Sequence, residues 1–249
     1  MIPVKTEKEV ILMRASGSLA AEVLQRVAEA VAPGVTTQEL DERARQILRE
    51  RGAESAFLGY HGYPGAICIS INEEVIHGIP GSRRIAMGDL VSLDVGVKYE
   101  GFIGDNATTV MVGVTNPDHV RLVTTTQEAL MAGIAVVRDG VRLSDVSHAV
   151  EQAALAGGCT VVRDFVGHGV GRQLHEDPQV PNYGRPGRGP VLKNGMTICI
   201  EPMVNLGCAD VDLLADGWTV VTRDRQPSAH FEHTVLVRPG GADVLTKSE

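Results

Sequence analysis

The segment 90–112 constrains this chain most, because it combines two runs of strand-like alternation with a turn signal, Tyr-Glu-Gly, at residues 99–101. One face of the first run is apolar at alternate positions, namely Val91, Leu93, Val95 and Val97. A period of two is typical of a strand with one buried face, and a glycine-containing turn between two such runs predicts a β-hairpin.

The other face of this hairpin is predicted to bring two acids together. If the hairpin folds symmetrically about residues 99 and 100, paired residue numbers sum to 199 and Asp94 lies opposite Asp105. Like charges in that position destabilise a sheet unless a cation lies between them. A solvated face is the alternative. The neighbouring positions are small, however (Ser92, Gly96 and Ala107), which favours an enclosed site for a divalent metal.

Composition limits the function classes. The chain has 249 residues, 43% of them apolar, which is enough for a substantial core in one large domain or two small ones. A net charge of −8 without a Lys/Arg-dense run argues against DNA as a partner. No apolar run is long enough to span a membrane, and the first residues do not form a secretory signal. The four cysteines lack CxxC spacing, so a cytoplasmic location is expected.

Capping signals and apolar periodicity predict an α+β fold. Capping boxes at Thr6/Glu9 and Thr36/Glu39 begin two predicted helices, which end near residues 33 and 51. Asn116-Pro117 begins a third helix ending near residue 138, and Ser144 begins a fourth ending at residue 157. Outside the hairpin, strands are predicted at residues 66–71, 161–166, 196–204, 218–222 and 231–237.

The order of these elements indicates an internal duplication. Two helices followed by strands occur twice, and residues 88–94 align with residues 195–201: each begins with glycine and reaches a carboxylate six residues later. Glu201 is then the counterpart of Asp94. We therefore expect a single catalytic domain, 1–249, with pseudo-repeat halves of about 1–115 and 116–249 around a central cleft. A chance match is the alternative, since glycine before a strand is common.

The second half supplies further candidate metal ligands. His168 lies between two glycines, which indicates a close backbone approach. Glu232 adjoins an apolar run, so it should be buried and in need of a partner. The complete candidate set is Asp94, Asp105, His168, Glu201 and Glu232. Such an oxygen-rich set suits Mn, Fe(II) or Co, and four carboxylates exceed the needs of one ion. A two-metal site that hydrolyses substrate with an activated water is therefore favoured over a mononuclear iron oxygenase.

Five motifs between residues 59 and 237 carry a family resemblance: YHGYPGAICISINEEVIHGIPG, LDVGVKYEGFIGDNATT, GHGVGRQLHEDPQVPNYG, IEPMVN and DGWTVVTRDRQPSAHFEHT. With them the chain resembles the type I methionine aminopeptidases. The resemblance implies the pita-bread fold, with two pseudo-symmetric α/β halves around a dinuclear metal cleft. It also implies removal of the initiator methionine by metal-hydroxide attack on the first peptide bond. The expected cofactors are two divalent ions, Mn, Fe(II) or Co, with zinc as a further option.

The resemblance also assigns roles to the five ligands. Asp105 and Glu232 are expected to bridge the metals, Asp94 to hold one metal, and His168 and Glu201 to complete the other. Glu201 is further expected to exchange a proton with the attacking hydroxide.

Two more histidines and a pocket follow from the same motifs. His77 is expected to contact the scissile amide, and His175 to stabilise the oxyanion. The methionine pocket is expected to include these two histidines and Phe57, Tyr60, Tyr63, Cys68, Leu174 and Trp218. Phe165 is a further candidate, with a place in the core as its alternative.

The resemblance implies action on nascent polypeptides whose N-terminal methionine precedes a small residue. A monomer is expected, although the sequence leaves the oligomeric state open. Arginines in the loop 185–190 could contact ribosomal RNA. A proline-specific peptidase of the same fold is the nearest rival, although such enzymes usually carry an extra N-terminal domain. A binding module that has lost catalysis is the rival from another class, and it would be expected to have lost ligands.

Overall fold

A computed structural model describes residues 2–247. Four α-helices lie in this range: α1 Glu7–Ala28, α2 Thr37–Glu50, α3 Pro117–Val136 and α4 Leu143–Ala156. A 3-10 turn covers Tyr60–Gly62. The strands are β1 Glu54–Ser55, β2 Cys68–Ile71, β3 Glu74–Ile76, β4 Leu90–Tyr99, β5 Phe102–Met111, β6 Thr160–Val161, β7 Gly167–Gly169, β8 Glu176–Val180, β9 Thr197–Ile200, β10 Met203–Asn205, β11 Val211–Leu213, β12 Val220–Thr222, β13 Ser228–His230, β14 Glu232–Arg238 and β15 Gly241–Val244. No helix in the described range is both long and apolar enough to cross a membrane.

The four predicted helices are confirmed, although α1 ends at Ala28, five residues before the predicted end near residue 33. Both capping boxes form, with the hydroxyls of Thr6 and Thr36 accepting from the backbone three residues on. Asn116 caps α3 with proline at its first turn, as the sequence indicates. Helix α4 begins one residue before Ser144.

Two strand predictions are wrong in their extent. Most of residues 161–166 is irregular, because β6 ends at Val161 and β7 begins only at Gly167. The predicted strand 196–204 is two strands, β9 and β10, interrupted at Glu201 and Pro202. Proline has no N–H to donate to a ladder, so the sheet is broken at this point. The break leaves Glu201 just beyond the end of β9.

The hairpin forms, but its predicted register is wrong by two. Residues Glu100 and Gly101 form the turn, with φ of 50° and 78°. Positive φ at both central residues is what a two-residue type I′ turn requires. Asp94 therefore pairs with Ala107, and Asp105 with Gly96, so paired numbers sum to 201. The two acids still share a face, now as diagonal neighbours.

A nine-stranded sheet joins the two halves of the chain. Its main path runs β1-β4-β5-β14-β9-β7-β8, while β2 pairs with β4 and β15 with β14. The four central strands β4, β5, β14 and β9 are antiparallel. The hairpin β4-β5 belongs to the first half and the pair β14-β9 to the second, so the halves meet between β5 and β14. This sheet with its four helices confirms the α+β class.

Each half has an apolar core of its own. Helices α1 and α2 pack with β2 and β4 in one core, and α3 and α4 pack with β9 and β14 in another. The N-terminal segment also contacts the second half of the chain: Lys5 N donates to Gly195 O. Gly17 of α1 lies so close to Leu245 that an added Cβ would be 2.5 Å from its carbonyl oxygen. Helix α1 therefore packs directly against the backbone at Leu245.

Candidate metal centre

The strand register places the five candidate ligands in two adjacent rows on one face of the sheet. Each row consists of residues that lie opposite one another when the observed pairing of β4, β5, β14, β9 and β7 is extended by one residue. The first row is Asp94, Ala107, Glu232 and Glu201. The second row is Gly96, Asp105, Thr234, Cys199 and His168. Because side chains of a sheet alternate between its faces, all members of these rows point to the same side.

Ligand atoms of this group lie close together. His168 Nε2 is 3.4 Å from Glu201 Oε1 and 3.7 Å from Asp105 Oδ2. One potential ligand atom each from Asp105, His168, Cys199 and Glu232 lies within 4.8 Å of the others, and all four residues are buried. Asp94 and Glu201 border the same cavity.

The His168 imidazole is set up as a metal ligand. Its Nδ1 is 2.9 Å from Gly169 O, and a carbonyl can only accept, so Nδ1 carries the proton. Burial lowers the pKa of His168 to about 3, so the ring is neutral and Nε2 presents a lone pair. That lone pair faces the carboxylate oxygens of Asp105 and Glu201, an arrangement that is repulsive unless a cation lies between them.

The carboxylates are also unfavourable without a cation. Burial raises the pKa of Asp94 to about 7. Burial and then the neighbouring acids hold the pKa values of Asp105, Glu201 and Glu232 well above their usual range. Three buried oxygens, Asp94 Oδ1, Asp105 Oδ1 and Glu232 Oε1, have no hydrogen-bond partner among the described residues. Buried polar atoms are normally paired, so these oxygens fit the ligands of a divalent ion.

Glycines allow this packing. A Cβ on Gly167 would collide with Cys199 O, and one on Gly169 with Asp177 O. This close backbone approach is the one expected from the glycines around His168. A Cβ on Gly96 would lie 2.5 Å from the ring of Phe57.

Two further histidines face the site. Tyr60 Oη is 2.7 Å from His175 Nδ1, and the His175 ring stands perpendicular to that of His168, with centroids 4.4 Å apart. Burial lowers the pKa of His77 to about 4 and also lowers that of His175. His77 has a left-handed φ of 59°, a conformation that costs energy in a non-glycine residue. Its ring lies edge-on to those of Phe165 and Trp218.

All these side chains surround one cavity of about 210 Å³. The structure brings every predicted site residue to its wall: the five candidate ligands, His77, His175, Phe57, Tyr60, Tyr63, Cys68, Leu174, Phe165 and Trp218. Ile76 and Val166 also line it and were not predicted.

Sequence reasoning missed two more residues beside the ligands. Cys199 precedes Glu201 by two positions, so the alternation of the strand could have placed it on the same face. Its Sγ is 3.5 Å from Thr234 Oγ1. His230 precedes Glu232 by two positions, and its Nε2 is 3.8 Å from Glu201 Oε2.

Comparison with known proteins gives consistent matches. The family model "Metallopeptidase family M24" matches residues 11–239. The chain is 48% identical over 246 residues to a methionine aminopeptidase from Clostridium perfringens, covering 99% of each chain. A solved methionine aminopeptidase from Thermotoga maritima matches with a TM-score of 0.98 at 46% identity, covering 100% of both chains. The likeness to a prolidase from Pyrococcus horikoshii, with a TM-score of 0.79 at 24% identity over 99% of this chain and 64% of that one, shows the fold alone.

Proposed function

The chain belongs to metallopeptidase family M24, among the methionine aminopeptidases, and we propose from this membership that it removes N-terminal methionine from peptides and nascent proteins. The main support for this proposal is the two rows of candidate ligands, which include carboxylate oxygens without hydrogen-bond partners. These ligands line a cavity whose other walls suit a thioether side chain. The pita-bread arrangement of the relatives agrees with the two halves that meet between β5 and β14.

Two divalent ions are proposed as cofactors, held by Asp94, Asp105, His168, Glu201 and Glu232. The donors are mostly hard oxygens, which suit Mn, Fe(II) or Co, with zinc also acceptable to an imidazole and carboxylates. Asp105 and Glu232 lie on the two middle strands, so we assign them as the ligands shared by both ions. When bound, such ions polarise a carbonyl and activate a water molecule for hydrolysis.

Three side chains are proposed to handle protons and charge. Glu201 is assigned to take the proton from the attacking water and return it to the leaving amine. Tyr60 Oη lies 2.7 Å from Nδ1 of His175, and we assign Tyr60 as the donor. In that assignment the neutral ring carries its proton on Nε2. That N–H is assigned to stabilise the negative charge that develops on the substrate carbonyl oxygen.

His77 is assigned to the scissile amide, because its buried ring is neutral and lies on the cavity wall. The left-handed backbone at this position presents the imidazole to the cavity at an energetic cost, which is typical of functional residues.

The Tyr60→Phe variant tests the assignment of His175. It removes one hydrogen bond and leaves the metal ligands in place, so kcat should fall about fivefold while the Mn(II) affinity of the metal-stripped protein stays the same. An unchanged kcat would contradict the role given to this pair.

The methionine side chain is proposed to enter a pocket of aromatic and sulfur-containing residues. Its walls are Phe57, Tyr60, Tyr63, Cys68, Leu174 and Trp218. Tyr63 is anchored by hydrogen bonds from its hydroxyl to Gly78 O and Ile67 O, and its ring lies edge-on to Trp218. A flexible, polarisable thioether makes favourable contacts with such rings.

The wider setting is also a proposal. A further apolar cluster joins Met13 and Phe57 of the first half to Leu236 of the second, which supports one catalytic domain, 1–249, with halves of about 1–115 and 116–249. One chain supplies the whole described cavity, so we propose a monomer.

Four free cysteines agree with a reducing cytoplasm. The exposed loop 185–190, with its two arginines, is a candidate contact for ribosomal RNA near nascent chains whose second residue is small.

Mass spectrometry of a Met-Ala-Ser peptide tests the function. Metal-stripped protein should leave the peptide intact, and added Mn(II) should restore loss of a single methionine. An Ala-Pro-Ser peptide serves as the control, because its cleavage in preference to Met-Ala-Ser would indicate a proline-specific peptidase. If folded protein cleaves neither peptide with any divalent ion tried, the proposed function is wrong and a binding module takes its place.

A further inference from the structure

His230 is a buried histidine held rigidly beside the metal centre. Its side chain is 2% exposed. The hydroxyl of Thr109 fixes its backbone on both sides, accepting from His230 N at 2.9 Å and donating to His230 O at 2.9 Å. Thr109 Oγ1 is in turn 2.8 Å from Ser92 Oγ, which ties β13 to the hairpin. The backbone of His230 is therefore held by the hairpin as well as by its own strand pairing with β10.

The Nε2 end of this ring points at an acid. His230 Nε2 is buried and has no hydrogen-bond partner among the described residues. Its carboxylate neighbour is Glu201, whose Oε2 lies 3.8 Å away. This separation exceeds a normal N–H···O distance of about 2.9 Å by about 0.9 Å, a gap that a small rotation of the glutamate can close.

Glu201 thus lies between two imidazoles that face different oxygens. Oε1 is 3.4 Å from Nε2 of His168, which presents a lone pair. Oε2 faces Nε2 of His230. A proton on Nε2 of His230 makes this contact attractive, whereas the other tautomer would set a lone pair against a carboxylate. The surroundings therefore favour the Nε2–H tautomer of a neutral ring.

We propose that His230 is a positioning residue that donates an Nε2–H hydrogen bond to Oε2 of Glu201. This bond leaves Oε1 on the side of His168 and the metal ligands, and it holds the carboxylate in the orientation needed for proton transfer. The inference rests on the proposed function, since it assigns to His230 the control of a group that the reaction uses. Hydrogen bonds of this kind orient metal-ligating groups in general.

Three variants test this role. His230→Leu removes the donor at similar volume, and His230→Gln keeps an N–H donor on a flexible chain. His233→Leu is the control: that histidine is half-buried and hydrogen-bonded to Thr246, but it lines a separate cavity bordered by α1. We expect His230→Leu to lower kcat about tenfold with little change in KM, and to weaken Mn(II) binding to the metal-stripped protein about tenfold by calorimetry. His230→Gln should recover most of both losses, and His233→Leu should show neither.

The proposal is overturned if His230→Leu leaves kcat and Mn(II) affinity within twofold of wild type. It is also overturned if His230→Gln loses as much as His230→Leu, because a donor would then be irrelevant. Nitrogen-15 NMR of histidine-labelled wild-type protein provides a measurement that needs no folded leucine variant. It should show the His230 proton on Nε2, and a proton on Nδ1 would refute the proposal. Wild-type cleavage of Met-Ala-Ser, measured alongside, separates this outcome from a failure of the proposed function.

Discussion

Replacing Asp94 with asparagine should stabilise the metal-free protein at neutral pH and change little at acid pH. Burial raises the pKa of this carboxyl from 3.8 to about 7 in the folded protein. The folded state therefore binds the proton more tightly than the unfolded chain does. A raised pKa contributes its full stability below about pH 4, and this contribution is lost as the pH rises towards about 7.

The size of the effect follows from the difference between the two pKa values. They differ by about three pH units, and each unit corresponds to 1.36 kcal/mol, so up to about 4 kcal/mol of unfolding free energy is lost across this window. Asp94 borders a cavity that water can enter, and neighbouring acids titrate with it, so this figure is a ceiling. Asparagine mimics the protonated acid and does not incur the loss.

The assay is urea unfolding in EDTA between about pH 4.5 and about pH 8, comparing wild type with Asp94→Asn. The advantage of the variant should grow by up to about 1.4 kcal/mol per pH unit until about pH 7. Asp212→Asn is the control, because that carboxylate is exposed and paired with Arg223. A constant difference between wild type and Asp94→Asn across the pH range would refute the reasoning. Saturating Mn(II) should reverse the order at neutral pH, because the ion stabilises the protein that binds it more tightly.

Two further substitutions test the pocket and the N-terminal segment. Gly96→Ala would place a methyl group 2.5 Å from the Phe57 ring and push the ring into the cavity, so KM for a methionyl peptide should rise about tenfold. Adding Phe57→Leu to this variant should lower KM again. An unchanged KM in Gly96→Ala would exclude the clash. Lys5→Met removes the partner that lies 2.7 Å from the half-buried Glu176 carboxylate, which keeps hydrogen bonds from Arg172 N and Gln173 N, so the unfolding free energy should fall by about 1.5 to 3 kcal/mol in urea titrations. Adding Glu176→Gln should recover much of that loss, and a loss well below 1 kcal/mol for Lys5→Met would show the pair to be unimportant.

Local signals predicted the helices well and the strands less well. The capping boxes at Thr6 and Thr36 depend on residues three positions apart, so the local sequence contains every side chain that forms them. The hairpin register was missed because it depends on which two residues adopt positive φ, and Glu100 does so without the usual asparagine or aspartate. The irregular segment after Val161 shows that a β-prone run forms a strand only where a partner strand is available.

The candidate site was predictable as a set of residues but not as an arrangement. Motif resemblance named the wall residues that the cavity brings together, apart from Ile76 and Val166. Cys199 could have been placed beside Glu201 by the alternation along its own strand. His230 was missed because its proximity to Glu201 depends on pairing between β10 and β13, which are far apart in sequence. The position of His230 contains no local signal of that pairing, so only the fold reveals it.

The packing of Gly17 against Leu245 has a consequence for how the chain is made. During translation α1 leaves the ribosome long before Leu245, the residue that covers it, has been synthesised. Glu232 is likewise synthesised long after Asp94, so the cleft lacks part of its set of carboxylates until then. The first half can form its core early, because the residues of that core all precede α3. The cleft, in contrast, can assemble only after β14 has been synthesised, so a chain truncated before β14 should be unable to act on any other nascent chain.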